Sequence, residues 1–141
     1  MLQKLPIFLK NMDCIVLIKY DGERNFNKYT IRLLYNDPRK WGLGKDTDSP
    51  SSVMADIAEK EKEFPLEEVM ELFSIVIDKF INSAIMKYGK QCIALVKLEE
   101  REKQIYYSFY IQTDEGTIRA SSFICPEALK KVFNTSVNVN G

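Results

Sequence analysis

Two carboxylates spaced two apart, Asp46 and Asp48, stand in the segment WGLGKDTDSPSS (41–52), beside two glycines and the only tryptophan, Trp41. One or two carboxylates suffice for Mg²⁺ when phosphate oxygens complete its shell. The neighbours do not complete a calcium or nucleotide loop. Pro50 falls near the position where an EF-hand requires glycine, and the twelfth position is Ile57 rather than glutamate. A phosphate loop has glycines five apart with Lys-Ser/Thr after the second; here Lys45 precedes Asp46, which repels phosphate. The same residues read well as the start of a helix. Ser49 or Asp48 would accept a free backbone N–H, and Pro50 would take the first helical position, where its missing N–H costs nothing. The acids would sit at the positive end of the helix dipole. Trp41 lies outside that account: it is either a lid on the core or an exposed anchor for a partner.

Thiol and carboxylate chemistry has two further candidates. Cys125 precedes Pro126, so it stands where a helix N-terminus would lower its pKa. The chain contains no histidine, which removes Cys-His pairs, Ser-His-Asp triads and histidine-containing zinc sites. Three scattered cysteines, Cys14, Cys92 and Cys125, cannot form a Cys₄ centre in one chain. They fit a reduced, intracellular protein. Glu67, Glu68 and Glu71 could supply an acid-base pair of the glycosidase kind. They fall at the start of an amphipathic helix, where acids favour the dipole and face water. No catalytic, metal or cofactor site is therefore expected.

The elements that position these residues are read from period. CIVLIKY (14–20) and KYTIRLLY (28–35) form a hairpin across a turn opened by Asp21-Gly22. The segment before them, LQKLPIFLKNM, fits a short helix or an extended lead-in. NDPRKWGLGKDTD reads as a polar connection and PSSVMADIAEKEKEF as a first helix. After Pro65 a longer helix runs from about Leu66 to Tyr88, with Gly89 as terminator. Its apolar positions recur at steps of three and four, and Leu72 and Ile75 widen the stripe as if its middle were covered on more than one side. QCIALVKL (91–98) reads as an inner strand, with QIYYSFYIQT (104–113) and TIRASSFI (117–124) as the next two. PEALKKVF (126–133) closes as a helix, with 134–141 as a frayed tail. The order β-β-α-α-β-β-β-α predicts one α+β domain over 1–141: an antiparallel sheet of about five strands with helices on one face.

Charge is the most informative pattern. Lys+Arg and Asp+Glu both number 20, so the chain is neutral, which argues against nucleic acid as a partner. Yet the segment from Asp46 to Asp78 holds ten acids against two bases, Lys60 and Lys62, a net of −8 that leaves +8 on the remainder. Such a surface steers basic partners. A second surface is the outer sheet face, expected to present Lys19, Thr30, Arg32, Tyr106, Ser108, Tyr110, Arg119 and Ser121. No apolar run approaches the length of a membrane span, and LPIFL is too short for a signal peptide. A cytoplasmic protein with no membrane partner is expected.

The hairpin CIVLIKYDGERNFNKYTIRLLY, the segment GKDTDSP and the acidic helix after it resemble the small α+β immunity proteins of bacterial polymorphic and contact-dependent toxin systems. The resemblance covers the first half of the chain and implies inhibition of a cognate toxin, often a nuclease, by occlusion. The expected contacts are Trp41, Asp46, Asp48, Glu59, Glu63, Glu67 and Glu71, with a basic protein as partner and the chain a monomer or homodimer. Two other readings stay open. One is a secretion-type chaperone or homodimeric adaptor using the long helix and outer sheet face; the other is a metal-dependent carboxylate enzyme.

Overall fold

Strict alternation builds the sheet. In β1 (Cys14–Asp21) every second residue, Cys14, Val16, Ile18 and Tyr20, is buried, while Ile15, Leu17 and Lys19 are only half-buried. A strand turns successive side chains to opposite faces, so one face of β1 packs and the other does not. The same holds in β4 (Ile93–Arg101), where Ala94, Val96 and Leu98 are buried, and in β5 (Gln104–Thr113), where Ile105, Tyr107, Phe109 and Ile111 are, with Ser108 of the other face buried besides. With β2 (Tyr29–Tyr35), β3 (Leu43–Thr47) and β6 (Gly116–Ser122) they form one antiparallel sheet, ordered β3-β2-β1-β4-β5-β6. The computed structural model describes residues 3–123 and 125–134. The expected tail at 134–141 therefore lies outside them, apart from Asn134.

The sheet consists of two three-stranded meanders joined through their first strands, with Val16 opposite Leu98 and Tyr20 opposite Ala94. The protein is α+β, as the order of elements predicts. The sixth strand, β3, lies inside the segment expected as a polar connection. Its sequence, LGKDT, carries no hydrophobic alternation, and pairing with β2 forms it instead: Gly44 faces Arg32 and Thr47 faces Tyr29. Gly44 has φ +104°, and a Cβ there would stand 1.9 Å from the Ile31 carbonyl oxygen. Only glycine fits that approach. The glycines of WGLGK thus serve an edge strand rather than a phosphate.

Helices cover one face. The N-terminal segment is helical: α1 (Lys4–Met12) lies against β1, β4 and β5, and α2 (Pro50–Lys60) against β2 and β3. The C-terminal α5 (Cys125–Asn134) lies against β5 and β6. The long helix is continuous from Leu66 to Tyr88, ends at Gly89, and contains a π-helical turn, Phe73–Ile77, between α3 (Leu66–Leu72) and α4 (Asp78–Tyr88). Phe73 meets Tyr29 of β2 at 6.5 Å and Phe80 meets Phe109 of β5 at 4.7 Å, so this helix crosses the sheet. A π turn inserts one residue and so rotates the side chains of the next turns about the helix axis. Leu72 and Ile77 turn inward, whereas Ile75, expected to widen the buried stripe, is 52% exposed. No helix among the described residues is long and apolar enough to cross a membrane.

Candidate functional site

The acids of the middle third divide by whether the fold uses them. Glu68, on the first turn of α3, accepts the backbone N–H groups of Lys4 (2.9 and 3.0 Å) and Leu5 (2.9 Å). It caps α1, whose own residues supply no side-chain cap. Glu61 accepts the Tyr35 hydroxyl at 2.9 Å; burial first, then that bond, pushes the Tyr35 phenol up to about 12. Asp48 accepts the Lys28 N–H at 3.1 Å, and backbone donors at Asn27 and Lys28 hold its carboxyl below the usual range. The cap expected from Ser49 or Asp48 is not made by either side chain. Pairing of β3 with β2 carries Asp48 across to Lys28, and Ser49 shares its hydroxyl with Ser52 at 2.9 Å. Pro50 does occupy the first turn.

Asp46 sits on the sheet face away from the helices, level with Thr30 and Lys19. It accepts the Thr30 hydroxyl at 2.7 Å and pairs with Arg24 at 3.2 Å; the Thr30 bond is the main reason its carboxyl is held low. The DxD pair thus points one carboxylate at Arg24 and the other at a backbone amide. Among the described residues no three His, Cys, Asp or Glu side chains gather as a metal set.

Other carboxylates are exposed on the helical layer. Glu59 is near the end of α2, Glu63 is in the link to α3, and Glu67 and Glu71 are one turn apart on α3. With Asp56 they are exposed, and among the described residues none forms an ion pair. Glu63 also lines a shallow groove of about 320 Å³ with Lys4, Ile7, Phe8, Asn11 and Met12 of α1. Trp41 is 91% exposed in the β2–β3 connection, beside exposed Arg39 and Lys40. It stands at the opposite end of β3 from Asp48, which a five-residue strand places roughly 15 Å or more away. The structure brings Glu59, Glu63, Glu67 and Glu71 onto α2, α3 and the link between them. Asp46 lies on the sheet's other face, and Trp41 is set among cations.

The three thiols are free and buried. Cys125 does open α5, but burial pushes it up to about 11 and Cys14 to about 12, so both are protonated at neutral pH. At Cys125 desolvation outweighs the helix dipole.

The outer sheet face has no helix over it among the described residues. Register places Asp46, Thr30, Lys19, Leu95, Tyr110 and Arg119 in one row, and Gly44, Arg32, Leu17, Lys97, Ser108 and Ser121 in the next. All eight expected residues share this face, since Tyr106 pairs with outward Glu99. Sequence reasoning missed its aliphatic members, Ile15, Leu17, Leu34, Ile93 and Leu95, all half-buried. Runs such as CIVLI and CIALV are apolar at both parities, so sequence cannot say which parity is left outside; the lone signal was the polar spacing at Lys19 and Lys97.

No family model matches this chain, and no curated protein or solved structure matches it either.

Proposed function

We propose that this chain is a non-catalytic protein-binding module, an immunity-type inhibitor that neutralises a cognate toxin domain by laying its acidic helical layer on a basic surface. A nuclease is the simplest target, because a site that binds phosphate is basic and exposed carboxylates compete with the substrate. The observation that carries this reading is that, among the described residues, the carboxylates of Glu59, Glu63, Glu67 and Glu71 take no hydrogen bond or ion pair, while those of Glu61, Glu68, Asp46 and Asp48 each do. The contact is accordingly narrowed to those four glutamates, with the α1 groove beside Glu63 as its apolar margin. Trp41 belongs to the contact only if the partner reaches the β2–β3 loop.

The test is a pull-down from the native host followed by calorimetric titration against the protein captured, with a basic toxin-like domain as the expected partner. Glu63→Lys with Glu67→Lys should weaken binding by about tenfold or more and flatten its salt dependence, since charge reversal at a steering surface acts on both. Unchanged affinity and salt slope would remove the acidic layer from the contact. The homodimeric adaptor reading is separated by sedimentation: a monomer at every concentration counts against it.

A further inference from the structure

The uncovered sheet face carries a chemistry of its own. Leu17 and Leu95 sit at its centre, on adjacent strands β1 and β4, and Lys19, Arg32 and Arg119 stand around them. Among the described residues none of these three cations forms an ion pair or hydrogen bond, although Arg32 acts on Asp46 through space. The other cations of this face are matched, Lys97 and Arg101 to Glu99 and Arg24 to Asp21 and Asp46. The face therefore has a net charge of +3 in a chain that is neutral as a whole. Half-buried aliphatics ringed by unmatched guanidinium and ammonium groups complement a surface of carboxylates around an apolar centre.

We propose that this face is a docking surface for a second protein partner, one that presents acidic side chains around an apolar patch. A second copy docked by the same face would bring like charge against like charge, and one docked by its acidic helices is separated by the self-association outcome of the test below. Single-stranded nucleic acid would leave the aliphatic centre uncovered, and the ring of Tyr106, the other outward tyrosine, already carries Arg101 at 4.0 Å. The surface lies across the sheet from the acidic helices, so it is independent of the toxin contact.

The test is an NMR titration of the full ¹⁵N-labelled chain with two probes, a short synthetic peptide alternating glutamate with leucine and single-stranded oligodeoxythymidine. The peptide should shift the amides of Leu17, Lys19, Leu95 and Tyr110 and lose affinity in high salt. Arg32→Glu with Arg119→Glu should weaken it about tenfold or more, while Glu63→Lys with Glu67→Lys leaves it unchanged. Peptide shifts that miss this face, or binding indifferent to salt, overturn the proposal, and the salt arm needs no variant to fold. Tighter binding of the oligonucleotide at this face overturns it in favour of nucleic acid. Concentration-dependent shifts at this face without any probe overturn it in favour of self-association.

Discussion

Glu68 shows what one carboxylate does when the fold rather than a partner claims it. It satisfies two of the four free N–H groups at the start of α1 from a residue sixty-four positions away. Glu68→Ala should cost roughly 1–2 kcal/mol, the range of a lost helix cap, read as a lower urea midpoint. Glu67→Ala, one residue earlier and exposed, should leave the midpoint within about 0.5 kcal/mol of wild type. Tyr35 and the thiols set the alkaline limit. Cys14 and Cys125, ordinarily near 9.0, rise to about 12 and about 11, and Tyr35, ordinarily near 10.0, to about 12. The native state therefore holds these protons more tightly than the unfolded chain. Their contribution to stability is intact below about pH 9 and is lost as pH climbs toward the folded values. Denaturation midpoints measured from about pH 9 upward should fall, and Tyr35→Phe should reduce the slope of that fall above about pH 10.

At the scale of elements, β3 depends on one glycine and the long helix on one inserted residue. Gly44→Ala demands a positive φ of a residue that resists it and drives Cβ into the Ile31 carbonyl. It should cost about 1–3 kcal/mol and release β3 first, seen as loss of amide protection from Leu43 to Thr47 before the rest of the sheet changes. The π turn lets Leu72 and Ile77, five residues apart, both turn inward on one helix. Deleting Ile75 should convert that turn to α-helix and be tolerated better than deleting a residue of α4, which rotates the remaining side chains by about 100°. Thermal midpoints of the two deletions check this.

The whole molecule has two unlike sides. Exposed carboxylates lie on the helical layer and an aliphatic, cationic face on the sheet behind it, while the total charge is zero. The centre that joins them is the β1–β4 pair, whose partners are far apart in sequence, Val16 with Leu98 for example. Both strands have a neighbour on each side, whereas β3 and β6 are edges. Hydrogen exchange should be slowest at β1 and β4 and fastest at β3 and β6. Such non-local pairing also slows folding relative to a chain of local contacts.

Local pattern alone determined most of this fold: the period-2 strands, the period-3.6 helix ended by Gly89, the hairpin opened by Asp21-Gly22 and the helices grouped on one face. It also determined the charge imbalance of the middle third, because charge is a property of composition. Only the tertiary structure decided which carboxylates remain free. Glu61, Glu68 and Asp48 look in sequence like Glu63, Glu67 and Asp56, and their partners Tyr35, Lys4 and Lys28 are set by packing across long loops. The strand β3 and the outward parity of β1 and β4 belong to the same class. A hydrophobic pattern records that a residue is apolar, whereas the face it ends on depends on which neighbour the chain brings to it.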